Sequence, residues 1–189
     1  MLLRPNHPLA RAMTYRLPAL LLAALLGLSQ CKKKDPAPGD QLPPATQTGA
    51  GTFGCLVNGQ PWTPQGNDGT SNYSVSYDRN YRDGTLSVSA YRIAGGGSSN
   101  QTVGVNSDSL RNTGVFRMKT RGRTGAAFID HSTSCRYYSQ DANTYCRGQL
   151  TITRLDLQAG IVSGTFAFTL YKPGCDSIRV TQGRFDKKL

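Results

Sequence analysis

The chain contains no glutamate: the 11 acidic residues among its 189 are all aspartates, set against 22 lysines and arginines. Aspartate belongs to turns and caps rather than helix interiors, and here it is joined by 21 glycines and 10 prolines, a composition that argues against a helical fold. Glycoside cleavage by paired carboxylates would have to rest on aspartates alone. Histidine is nearly missing too, since only His7 and His131 occur and His7 falls in the N-terminal leader. That count, and the lack of any CxxC pair, excludes the usual zinc sites, and no other cofactor signature is present. No GxSxG elbow, P-loop, dinucleotide glycine fingerprint or EF-hand loop occurs. No apolar run reaches the ~20 residues that a membrane-crossing helix needs.

What the N-terminal region does have is Leu17 to Cys31, LPALLLAALLGLSQC, an apolar run that stops at a cysteine. Arg4, Arg11 and Arg16 precede it and no acidic residue appears before Asp35, the pattern of an export signal. Met13 would open an ordinary short leader and is a second candidate start. The residues before Cys31 resemble the lipobox of bacterial lipoproteins, with Leu28 and Ser29 in place and Gln30 where Gly or Ala is usual. That resemblance implies acylation of Cys31, which becomes the mature N-terminus and attaches the chain to membrane lipid. The expected destination is the outer membrane, with the domain facing the periplasm or the surface. Three expected regions follow: signal peptide 1–30, lipidated Cys31 with a flexible Pro/Gly-rich linker over 31–51, and a β-domain over 52–189.

Apart from Cys31, the cysteines are Cys55, Cys135, Cys146 and Cys175, an even number in an exported chain. Two disulfides are expected, and three pairings are open. Cys135 and Cys146 bracket the polar segment RYYSQDANTY and are the easiest to join, which leaves Cys55 with Cys175.

From Phe53 onward apolar residues recur with period two between turn signals. Phe53, Cys55 and Val57 lead into Asn58-Gly59, a tight-turn pair, and Trp62 follows. Tyr73 to Tyr77 and Leu86 to Ala90 flank the polar turn DRNYRDG. Further strands are expected at Val103–Val105, Val115–Met118, Ala126–Ile129, Gln149–Leu157, Ile161–Tyr171 and Ile178–Phe185. Gly164 and Gly183 fall inside strand patterns, where they mark a bulge or a close approach of backbones. The expected class is all-β: an antiparallel β-sandwich or up-and-down β-barrel of about 8 to 10 strands with a disordered N-terminal tether.

Phe53 to Gly59 with Trp62, the segment Gly148 to Thr153 with Asp156, Val162 to Phe166, and Val180 to Asp186 together resemble an uncharacterised lipoprotein family of the Bacteroidota. In that family a strand ending in NG plus a Trp opens the domain, and SGTF and GxFD strands close it. The resemblance spans nearly all of residues 52–187. It implies structural roles for these motifs and no catalytic residue.

The formal net charge of +11 at pH 7 fits an anionic partner. Its arginines are scattered in sequence apart from the run Arg117 to Arg123, and nucleic acid is not an expected partner of an exported chain. Arg121 and Arg123, in the turn KTRGRTG, are candidate ligands for phosphate, sulfate or carboxylate, and Trp62 is a candidate ligand platform. The leading expectation is a non-enzymatic, membrane-anchored domain that binds a glycan, an acidic polymer or a protein partner. One alternative is a hydrolase using aspartates or His131 with Ser132 or Ser134. Another is a barrel with a lipid cavity, which needs an interior not filled by Trp62, Tyr77, Phe166 and Phe168. Asp156 and Asp186 each end a strand, where a salt bridge with Arg154 or Arg184 accounts for them.

Overall fold

The computed structural model describes residues 36–97 and 99–189. The expected signal peptide and Cys31, with its expected acylation, lie outside the described residues. Pro36–Leu189 forms a compact unit built on eleven strands: β1 Ala50–Val57, β2 Gln60–Trp62, β3 Tyr73–Asp78, β4 Thr85–Ala94, β5 Ser99–Ser107, β6 Gly114–Lys119, β7 Thr124–Asp130, β8 Arg136–Tyr138, β9 Tyr145–Asp156, β10 Ile161–Tyr171 and β11 Ile178–Lys188. The count exceeds the expected range because two three-residue strands, β2 and β8, are too short to show a period. β8 lies within the polar segment between Cys135 and Cys146.

All eleven strands belong to one sheet in the order β2-β1-β11-β10-β9-β6-β7-β5-β4-β3, with β8 added beside β7. Every pairing between these strands is antiparallel except a single parallel contact, Met118 with Thr124, where β6 meets β7. The Lys119–Thr124 link is therefore not the tip of a hairpin. It is a corner that carries the chain from the β9 side of the sheet to β5, because β6 pairs with β9 and β7 with β5.

The period-two residues of all these strands point to one core. Phe53, Trp62, Leu86, Val103, Phe128, Leu150, Phe166, Phe168, Leu170, Val180 and Phe185 are buried in a single cluster. Phe53 of β1 meets Tyr73 of β3, with ring centroids 5.4 Å apart, so the sheet curls until its two ends share that core. The interior is filled where a lipid cavity would lie: Phe53 also meets Trp62 at 5.8 Å and Phe166 at 5.5 Å, and Phe166 stacks on Phe168 at 6.1 Å. Close approach explains the strand glycines. A Cβ at Gly164 would come 2.5 Å from the Thr151 carbonyl and 2.8 Å from the Phe185 ring, and one at Gly183 would overlap the Phe166 ring. The bulge itself falls on Gln182, whose φ of 51° is left-handed.

Two expectations are corrected. The first is the disulfide pattern: Cys135 bonds Cys175, while Cys55 and Cys146 are buried free thiols. β8 carries Cys135 toward the β10–β11 turn, where the Tyr137 hydroxyl donates to the Asp176 carbonyl. Cys146, opposite Leu170 of β10, points into the core and is 3% exposed. Burial raises the Cys55 thiol pKa to about 12 and the Cys146 thiol to about 11, so both stay protonated and inert at neutral pH.

The second correction concerns the linker. Residues 36–50 are not a free tether but a strap laid on the sheet. A short 3-10 turn, Pro38–Gln41, precedes Leu42, which is 8% exposed. Pro43 packs so closely on Gly54 that a Cβ there would lie 2.8 Å from the proline ring. The strap is clasped by Asp186. Its carboxylate, 1% exposed, accepts hydrogen bonds from Thr46 Oγ1 at 2.6 Å, the Thr48, Gly49 and Ala50 amides at 2.9, 2.8 and 3.0 Å, and Ser163 Oγ at 2.6 Å.

Candidate functional site

A β-strand alternates its side chains, so the inward positions that build the core leave a second set facing out. Across β6, β9, β10 and β11 the pairing aligns this outer set into rows. Lys119 stands opposite Arg147, Arg147 opposite Thr169, and Thr169 opposite Arg179. The next row is Arg117, Gln149 and Ala167, and on the other side Tyr145 stands opposite Tyr171. Val115 and Thr151 continue the face. Arg117, Lys119, Arg147 and Arg179 are all exposed, as are Tyr145 at 51%, Tyr171 at 45% and Val115 at 64%.

None of these four cations has a carboxylate partner. The three ion pairs among the described residues are Arg82–Asp108, Arg111–Asp83 and Arg154–Asp156. Like charges directly opposite on a sheet repel, and Lys119 faces Arg147 with nothing between them to neutralise either. By strand alternation the carboxylate of Asp186 belongs to the same side, but the strap covers it. Burial opposes its charge, yet the hydrogen bonds from Ser163, Thr46 and the Ala50 and Gly49 amides outweigh burial and hold its pKa well below the usual carboxylate range. The unpaired charges of the exposed face are thus all basic, and Asp156, which shares the outward side of β9, is paired with Arg154. At its β10–β11 border, Ala45 of the strap, Gln149, Thr165, Ala167, Gln182 and Arg184 enclose a shallow hollow of about 330 Å³.

The candidate residues read from the sequence lie elsewhere. Trp62 is 2% exposed and its Nε1 donates to Gln101 Oε1 at 3.0 Å, which makes it a core anchor and not a ligand platform. Arg121 and Arg123 are exposed on the β6–β7 corner, where Arg121 has φ 54° and Arg123 Nη1 donates to Ser109 Oγ at 3.1 Å. The corner does not bring the two guanidinium groups onto a shared partner. His131 is exposed just beyond β7. Ser132 Oγ donates to Asp130 Oδ1 at 2.5 Å instead of bonding the imidazole. Asp156 pairs with Arg154 at 2.8 Å, as expected. Asp186 does not pair with Arg184, whose guanidinium donates to the Pro43 carbonyl and to Gln182. Among the described residues no three His, Cys or Asp side chains converge as a metal site.

The basic rows were within reach of the alternation itself, since VxRxK, YxRxQxT and TxAxTxY occupy the outward positions of β6, β9 and β10. Aligning them needs the register, which the sequence does not state.

Neither the curated proteins nor the solved structures include a match to this chain. Residues 65–187, more than half of the chain and all of β3 to β10, match a domain of unknown function, and the chain belongs to that family, DUF6252.

Proposed function

We propose that this protein is an exported, lipid-anchored envelope protein whose β-domain works by binding, without catalysis, and whose ligands are anionic groups met by the outward face of β6, β9, β10 and β11. One observation carries the binding assignment: Arg117, Lys119, Arg147 and Arg179 share an exposed face and none has an ion-pair partner. Unpaired, aligned guanidinium groups suit phosphate or carboxylate, which Arg binds through paired N–H donors. Tyr145 and Tyr171 beside them add flat apolar surface of the sort that stacks on sugar rings or sits at a lipid interface. The anchoring half of the proposal rests on the Leu17–Cys31 segment.

Retention on a matrix of immobilised phosphate groups tests the face. The domain is expected to bind at low salt and to elute as salt rises, and Arg147→Glu with Arg179→Glu should abolish retention. Retention unchanged by that double substitution would remove the face from the function. Intact-mass measurement of the natively produced chain tests the anchor, with cleavage before Cys31 and an acylated N-terminus expected.

A further inference from the structure

We infer that the occupant of this basic face is the anionic headgroup surface of the membrane that anchors the chain, so that the domain lies on the bilayer rather than standing off it. The inference deepens the proposal above and depends on acylation of Cys31 for its geometry.

Three observations lead to it. The strap, residues 36–50, lies on the outward side of the sheet: Pro43 covers Gly54, an outward position of β1, and Ala45 borders the hollow beside Gln149 and Ala167. The strap therefore starts on the same side of the sheet as the cation rows, with Gly39 against Gln182. Second, the packed strap leaves little slack. Only Lys32, Lys33, Lys34 and Asp35 separate Cys31 from Pro36, a reach of ~17 Å even when fully extended. The expected twenty-residue tether would have held the domain tens of ångströms away.

Third, the chemistry of the face suits a plane. Arg117 and Lys119 of β6, Arg147 of β9 and Arg179 of β11 lie on three strands of a four-strand span at ~4.8 Å per strand. No cleft encloses them, and the shallow hollow lies at their border. A polysaccharide chain is held by a groove, whereas phosphate headgroups offer their charges as a surface. Tyr145 and Tyr171, cross-strand partners at the edge of the basic rows, are the residue type enriched at headgroup level. The strap also buries Asp186, the carboxylate that would otherwise repel anionic lipid.

The test uses the compact Pro36–Leu189 unit, which has its own core and disulfide and lacks the acylation site, so the result does not depend on the anchor. Sedimentation with vesicles of phosphatidylcholine alone is compared with phosphatidylcholine mixed with phosphatidylglycerol. Binding is expected only to the anionic vesicles, falling as salt rises. Lys119→Gln, Arg147→Gln and Arg179→Gln combined should weaken it by about a hundred-fold, from the loss of three cations near the surface. An off-face control that removes two cations, Arg121→Gln with Arg123→Gln on the β6–β7 corner, should leave it unchanged. All five positions are exposed, so folding is not at risk. Equal binding to both vesicle types, equal weakening by the control, or preference for a soluble acidic polysaccharide that displaces the domain from vesicles would each overturn the inference. If anionic vesicles bind through the face while the native chain proves unacylated, the anchoring proposal fails and the docking surface stands.

Discussion

Asp186 accepts five hydrogen bonds of 3.0 Å or less and meets no cation, which makes it the side chain on which the N-terminal strap depends. Hydrogen bonds to a buried charge are worth more than neutral ones, so Asp186→Asn is expected to cost about 2–4 kcal/mol, measured by denaturant unfolding. The pH dependence has a definite sign. The folded-state pKa is depressed, so the contribution is complete above the unfolded-state value of ~3.9 and is lost as pH falls below it. Stability of the parent and of Asp186→Asn should therefore differ at pH 7 and converge on acidification. A gap that stays constant down to pH 2 would show that the carboxylate charge is not what holds the strap. The sequence showed Asp186 only as the end of a strand. Its partners, Thr46 to Ala50, lie some 140 residues away, and polar residues rich in Pro, Thr and Gly read as a linker until a buried acceptor is known to collect their amides.

At the scale of elements, the strands from β3 to β7 and from β9 to β11 were legible because each alternates long enough to declare a period. The disulfide was not, because sequence proximity of Cys135 and Cys146 says nothing of which face each thiol occupies. Cys146 is an inward residue of β9, and Cys135 precedes the three-residue β8. The bond ties β8 to the turn between β10 and β11 across 40 residues, and in the chain-entropy account such a loop contributes about 4 kcal/mol. Cys135→Ser with Cys175→Ser is expected to lower stability by that order. Cys55 and Cys146 supply an internal control: a thiol reagent should modify neither in the folded domain and both after denaturation. Rapid modification under native conditions would contradict their burial.

The whole molecule begins earlier than its hydrophobic pattern indicates. The expected boundary at residue 52 removes the strap and the first two residues of β1, and the family match at 65–187 contains Asp186 without the strap that surrounds it. A chain starting at Thr52 would expose Leu56 and Gly54 and leave Asp186 with Ser163 alone. Compared with a chain starting at Pro36, it should melt about 10 °C lower, and equal melting temperatures would return the strap to the status of a linker. The same boundary decides the site: with the strap packed, the basic face and the N-terminal approach share one side of the sheet, whereas with a free tether no face is preferred.

The clasp at Asp186 has a mechanical consequence. A pull on the N-terminal end of the domain reaches Leu42 and Pro43 first, then the bonds from Thr46 to Ala50, and only afterwards the β1–β11 ladder that begins at Ala50 and Lys187. The load is met by a buried carboxylate before any strand is peeled. A load applied there would thus be spent on a cluster that can open and re-form while the sheet behind it stays intact.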